Sequence, residues 1–250
     1  VTERTAKIQA VLFDLDDTLT DDDTSFRESV VGTADGLARQ HPGLSASELV
    51  DAYWRESTAV WTAFDMEMRA GRAPEAGTGD RLRHEAWRRA LAACGVQDEG
   101  LVRRAVVEYA GWRDRTLRVA PGAVEVLDAL RPRLRTAIIT NGPTDMQRDK
   151  LRRFDLESRV DCTAISEEFG LGKPNPAIFL HVADTLRVTP ADCIMVGDYL
   201  NHDVAGAHAA GMRAVWVNRH GRPVPAGGPV PDFAIVHLRE VLDIVRAEGA

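Results

Sequence analysis

The feature that most restricts this chain is an apolar run that ends in acid. Ile8 to Phe13 reads as a short buried strand, and Asp14-Leu15-Asp16-Asp17-Thr18-Leu19 comes directly after it. Residues i and i+2 of a strand point to one side, so Asp14 and Asp16 can face a single point while Leu15 returns to the core. Carboxylates set side by side repel unless a cation or a shared proton relieves them. A hard divalent ion such as Mg2+ takes oxygen ligands and suits such a cluster. A strand exit carrying solvated acids is the other reading these residues leave open.

Beyond the acidic cluster the texture changes. Thr20-Asp21-Asp22-Asp23-Thr24 reads as a solvated linker and helix start, with Asp23 or Thr24 as N-cap. From about residue 24 to 116, apolar residues recur at spacings of three and four. Phe26, Val30, Val31 and Leu37 mark one helix, and Leu49, Val50, Tyr53, Trp54, Val60, Trp61, Phe64 and Met68 mark a longer one. A Gly- and Pro-containing break at 71–79 precedes two more, built on Leu82, Trp87 and Leu91 and on Leu101, Val102, Val106, Tyr109 and Trp112. Four helices with short connections predict a small bundle, with its tryptophans packed in the core.

From Pro121 onward strands and helices alternate. Strands are expected at 134–140, 160–165, 193–196, 214–217 and 232–236, and helices at 122–130, 143–154, 176–186, 201–210 and 238–247. That rhythm predicts an α/β fold, a parallel sheet flanked by helices, to which the first strand also belongs. The expected organisation is therefore a core of residues 1–20 and 117–250 with a helical cap, 21–116, inserted after the first strand.

Bulk properties remove several classes of function. A formal net charge of −7 argues against general binding to nucleic acid or anionic membranes. No apolar run approaches the roughly 18 residues of a membrane span, and Val1 to Thr5 lacks the layout of a signal peptide. Cys94, Cys162 and Cys193 are scattered without metal-ligand spacing and read as reduced small hydrophobes of a cytoplasmic protein.

Ligands of open parallel sheets bind at the carboxyl ends of the strands. The expected strands end in Asp14 and Asp16, in Thr140-Asn141-Gly142, ahead of Gly172-Lys173-Pro174, and in Gly197-Asp198 with Asp203 five residues on. Carboxylates, a hydroxyl, amides beside a helix start and one lysine suit a phosphoryl group. Singly, Thr-Asn-Gly is also a common turn and a lysine before proline a common surface residue.

Taken together and in order, these four segments resemble the motifs of the haloacid dehalogenase superfamily, most of whose members are phosphatases. The helical insertion sits where that superfamily places one type of cap on a Rossmann-like core. Thr140 to Thr144 and Ile165 to Pro176 resemble the branch of pyrimidine 5′-nucleotidases and N-acylneuraminate-9-phosphatases. The resemblance implies Asp14 as nucleophile, Asp16 as acid and base, and Mg2+ held by Asp14, the Asp16 carbonyl and Asp198. It implies Thr140, Asn141 and Lys173 on the phosphoryl oxygens, with Asp203 and Thr18 in support. The expected activity is Mg2+-dependent hydrolysis of a small phosphate ester, a nucleoside monophosphate or a sugar phosphate, through an aspartyl-phosphate. Alternatives of the same fold are a 2-haloacid dehalogenase, a phosphomutase or an inactive binding protein. Arg69, Arg72, Arg83 and His84 are candidates for substrate contacts, and His202 reads as a helix-surface residue. Nothing in the sequence indicates the oligomeric state.

Overall fold

The computed structural model describes residues 7–72 and 77–249. Val1 to Thr5 and part of the 71–79 break lie outside them. In chain order the elements are β1 (Ala10–Phe13), α1 (Asp22–Gln40), α2 (Ala46–Arg69), α3 (Thr78–Ala93), α4 (Glu99–Thr116), α5 (Ala123–Leu130) and β2 (Arg135–Thr140). Then come α6 (Thr144–Arg153), β3 (Cys162–Ile165), α7 (Ser166–Phe169), α8 (Pro176–Leu186), β4 (Cys193–Gly197), α9 (Ala205–Ala209), β5 (Arg213–Val217), β6 (Phe233–Ile235) and α10 (Val241–Ala247).

The six strands form one parallel sheet in the order β3-β2-β1-β4-β5-β6. Alternation along each strand divides its side chains between two apolar layers. Val11, Phe13, Ile138, Ile194, Val196 and Val215 pack with α5 and α10 on one face. Ala10, Leu12, Ile139, Met195, Ala214 and Trp216 pack with α8 and α9 on the other. From β1 the chain continues toward β2 and β3, whereas from β4 it continues to β5, on the opposite side. The two connections part above β1 and β4, and this divergence opens a crevice at their carboxyl ends.

Helices α1 to α4 enclose an apolar cluster of their own, built on Leu37, Leu49, Tyr53, Trp87, Leu91 and Leu101. Their starts obey ordinary capping: the Ser45 hydroxyl accepts from Glu48 N, and the Asp98 carboxylate from Gly100 N and Leu101 N. The bundle is inserted through a paired ribbon. Asp21 N donates to Arg118 O and Ala120 N to Leu19 O, around an antiparallel bridge between Thr20 and Val119.

Two local expectations give way. Helix α1 is flanked by Asp21 and begins at Asp22, so Asp23 and Thr24 lie inside its first turn. The Asp23 N–H is taken by the Asp17 carboxylate, which fixes the turn from outside. The helix expected at 201–210 opens as a π-helical turn, Leu200–Val204, before α9. Among the described residues no helix is long and apolar enough to cross a membrane.

Candidate active site

Asp14 stands one residue beyond β1, where its N–H still continues the sheet by donating to Val196 O. Its side chain is buried and meets Lys173, whose Nζ lies 2.5 Å from Asp14 Oδ1 and 2.7 Å from Asp203 Oδ1. Lys173 is only 2% exposed. Burial alone would strip its charge, but the Asp14 and Asp203 carboxylates outweigh that and raise its pKa.

Across the crevice, Asp198 succeeds Gly197 at the end of β4. Asp14, Asp198 and Asp203 each offer a carboxylate oxygen, and these lie within 4.8 Å of one another. Burial, against the pull of Lys173, pushes Asp14 up to about 7. Burial together with the charges of Asp14 and Asp203 pushes Asp198 up to about 9. Three carboxylates beside a single lysine are a donor set in need of further positive charge, and all their atoms are hard oxygens. Both properties fit a small divalent ion such as Mg2+.

The approach of Asp203 depends on Gly197. A Cβ there would stand 2.3 Å from Asp203 Cγ, so only glycine lets β4 end against this carboxylate. The other Asp203 oxygen accepts Tyr199 N at 3.0 Å. Asp203 thus ties Lys173 to the loop that carries Asp198.

The Thr140 and Asn141 segment lies beside Lys173. Asn141 binds the Lys173 backbone twice, with Oδ1 accepting Lys173 N at 2.8 Å and Nδ2 donating to Lys173 O at 2.9 Å. The amide therefore holds the lysine loop rather than pointing away from it. The N–H of Gly142, expected to offer an anion contact, is donated to Ser166 Oγ at 2.9 Å. Thr144 N at the start of α6 is likewise taken by Glu167 Oε2 at 2.6 Å. The protein's own groups thus occupy much of that helix start.

Asp16 sits apart from the three clustered carboxylates. Its Oδ2 accepts Gln147 Nε2 at 2.9 Å and its Oδ1 accepts Lys150 Nζ at 2.7 Å. Asp17 adopts a left-handed backbone, φ 59°, that turns the loop sharply. Thr18 is buried with its hydroxyl 3.5 Å from Asp14 Oδ2, and its carbonyl accepts Arg219 Nη2 at 2.9 Å. Gln147, Lys150 and Arg219 are not among the residues the sequence singles out; the first two share one face of α6, the helix next after Thr140-Asn141-Gly142.

A cleft of about 670 Å3 separates this site from the bundle, lined by Asp16, Asn141 and Gln147 below and by Trp61, Phe64 and Arg69 above. His202 does not lie on an open surface: it lines the same cleft, with Nε2 2.6 Å from Arg69 Nη2. Burial lowers its pKa. Trp61 is likewise at the cleft, whereas Trp87 is wholly buried. Arg72, Arg83 and His84 pair with Glu67, Asp80 and Glu99. Of the four basic candidates, Arg69 alone is among the residues lining the cleft.

The family model for haloacid dehalogenase-like hydrolases matches residues 8–211, which span the carboxylate cluster, Lys173 and the cleft. The chain belongs to this family. It is 28% identical to the N-acylneuraminate-9-phosphatase of Mus musculus, over 97% of this chain and 95% of that one. It is 33% identical to a phosphoserine phosphatase of Thermus thermophilus, over 94% of this chain and 98% of that one. A solved structure of a 2-haloacid dehalogenase from Pseudomonas syringae pv. Tomato DC3000 shares the fold with a TM-score of 0.67 at 28% identity, covering 97% and 100% of the two chains. As a haloacid dehalogenase-like hydrolase, this protein has full-length relatives named for different substrates.

Proposed function

We propose that this hydrolase is a Mg2+-dependent phosphatase acting on a small phosphorylated metabolite, a nucleoside monophosphate or a sugar phosphate. The observation that carries this reading is the carboxylate cluster of Asp14, Asp198 and Asp203 around Lys173, with a further carboxylate, Asp16, two residues from Asp14. Dehalogenation by a nucleophilic aspartate needs neither a bound cation nor a second acid to protonate a halide. Both are provided for here.

Asp14 attacks phosphorus through a side-chain oxygen and displaces the alcohol, forming an aspartyl-phosphate. Asp16 gives the departing oxygen a proton and then takes one from the water that hydrolyses the intermediate. Lys173 and Thr140 face the phosphoryl oxygens, and Asn141 keeps Lys173 in place through its backbone. Asp14, the Asp16 carbonyl and Asp198 would hold Mg2+, with Asp203 steadying Lys173 and Thr18 the Asp14 turn. When bound, the ion offsets the repulsion between nucleophile and phosphate.

In the same reading residues 21–116 act as a cap over a core of 1–20 and 117–250. A cleft of about 670 Å3 accommodates a molecule of nucleotide or sugar-phosphate size. Trp61, Phe64, Arg69 and His202 stand where its leaving group would lie.

The test is phosphate release from nucleoside, sugar, polyol and amino-acid phosphates, compared by kcat/KM with and without EDTA. Turnover that needs Mg2+ and disappears in Asp14→Asn supports the proposal. Robust turnover by Asp14→Asn removes the nucleophile, and halide release from a 2-haloacid in EDTA restores the dehalogenase reading. Interconversion of sugar phosphates without free phosphate points to a mutase.

A further inference from the structure

Helix α6 carries a buried pair whose polar groups converge on Asp16. Gln147 and Lys150, three positions apart on one helix face, are 1% and 5% exposed. Lys150 Nζ is 2.7 Å from Asp16 Oδ1 and 2.8 Å from Asp22 Oδ1. Gln147 Nε2 reaches Asp16 Oδ2 at 2.9 Å and Thr140 Oγ1 at 2.5 Å. Asp22 opens the first helix of the bundle, and Arg113, near the end of its last helix, donates to both the Asp22 carboxylate and its carbonyl.

The charges in this cluster balance, with Lys150 and Arg113 facing Asp16 and Asp22. Arg113 and Lys150 meet on the same oxygen, Asp22 Oδ1. Lys150 thus shares Asp22 with Arg113, and its other contact falls on the carboxylate that the proposed reaction uses. The Asp16 side chain remains 31% exposed toward the cleft. Gln147 and Lys150 hold its two oxygens from the α6 side, one each, the Thr20 hydroxyl adds a longer contact to Oδ1 at 3.4 Å, and the rest of the side chain faces the cleft. An aspartate on a loop has several accessible rotamers, and a displacement of about 1 Å in a reacting group costs on the order of a hundredfold in rate.

We propose that Lys150 is a positioning residue for Asp16, holding the acid–base carboxylate from the α6 side so that its cleft-facing side meets the leaving oxygen. The role rests on the phosphatase reading of the site. Lys150 touches neither phosphate nor alcohol and acts through Asp16.

Leaving groups of different basicity test it. A primary alkyl phosphate expels an alkoxide that must be protonated as the P–O bond breaks, whereas p-nitrophenyl phosphate expels a stable phenolate. The ratio kcat/KM reports only steps through that cleavage, so the later base role of Asp16 does not enter. For Lys150→Met the expected loss in kcat/KM is about tenfold or more greater on the alkyl than on the aryl phosphate. In an Asp16→Asn background the same substitution should change the alkyl rate less than about twofold, since effects transmitted through one group do not add. Lys150→Gln, with a shorter uncharged donor, repeats both comparisons should Lys150→Met fail to fold. Equal losses on the two substrates, or an undiminished loss in the Asp16→Asn background, overturn the proposal while leaving the phosphatase reading intact. A wild-type protein inactive on every phosphate removes that reading and this role with it.

Discussion

Mg2+ binding should be coupled to proton release in a way that the buried carboxylates define. Asp14 is pushed up to about 7 and Asp198 up to about 9, so the folded, metal-free protein holds protons there near neutrality. An unfolded aspartate loses its proton near its ordinary value of 3.8. Because both folded values are raised, their contribution to stability is full below about pH 4. It is lost as pH climbs through about 7 and about 9. A divalent ion competes with the same protons. Between pH 7 and 9 it displaces about one proton, so apparent Mg2+ affinity should rise about tenfold per pH unit. Below pH 7 the Asp14 proton must leave as well, and the dependence steepens toward about a hundredfold per unit.

Mass action turns this coupling into stability. At a Mg2+ concentration about 100 times Kd at pH 8, binding stabilises the fold by about 2.7 kcal/mol. The same concentration at pH 7 is about ten times Kd and contributes about 1.4 kcal/mol. For a chain of this size the two correspond to Tm increases of about 5–11 °C and about 3–6 °C. Thermal melts with Mg2+ or EDTA from pH 6 to 9 measure the difference, and calorimetry in buffers of unlike ionisation enthalpy counts the protons. Asp198→Asn should flatten the slope between pH 7 and 9. A Mg2+ stabilisation independent of pH, or untouched by Asp198→Asn, would refute the coupling and the cluster's role in holding the ion.

Three further outcomes are expected. Gly197→Ala places a methyl group 2.3 Å from Asp203 Cγ; it should cost about 1–3 kcal/mol in denaturant melts and reduce kcat far more than stability alone explains, because Asp203 holds Lys173. Trp87→Ala empties the centre of the bundle, where the indole stacks on Tyr53 at 4.1 Å between centroids; unfolding free energy should fall by about 3–5 kcal/mol, and a loss under about 1 kcal/mol would contradict that packing. Arg69→Ala, at the cleft but away from the carboxylate cluster, should raise KM for the best substrate while leaving kcat within about twofold, with initial-rate kinetics as the check.

The sheet was legible in the sequence because its strands are short apolar runs punctuated by Gly, Pro and Asp, and because parallel strands buried on both faces carry few polar residues. The candidate site was legible because its side chains stand at strand ends, where chain direction alone brings them together. Local ambiguity blurred other points. Asp21, Asp22 and Asp23 are equally good helix starters by type, and tertiary bonds hold the start that is adopted, from Asp23 N to Asp17, from Asp21 N to Arg118 O and from Arg113 to Asp22. His202 sits in a stretch whose outward face meets α2, a contact 133 residues away that no periodicity encodes.

Gln147 and Lys150 show the same limit in a sharper form. On Thr144–Arg153, a helix dominated by Asp, Gln, Lys and Arg, they read as solvated surface. Their partners are more than 120 positions away, Asp16 in the loop that links β1 to the inserted bundle and Asp22 at the end of that loop, where α1 begins. That loop explains why the bundle enters where it does. Thr20, the residue bridged to Val119, follows Asp14 by six positions, so one segment carries Asp14, Asp16 and the first strand of the ribbon. The two strands of the ribbon are bonded to each other, and Arg113 braces Asp22 beside them. Placed after β1, the bundle shares a charge cluster with Asp16, and Lys150 joins Asp16 to the Asp22 start of α1 in one hydrogen-bonded structure.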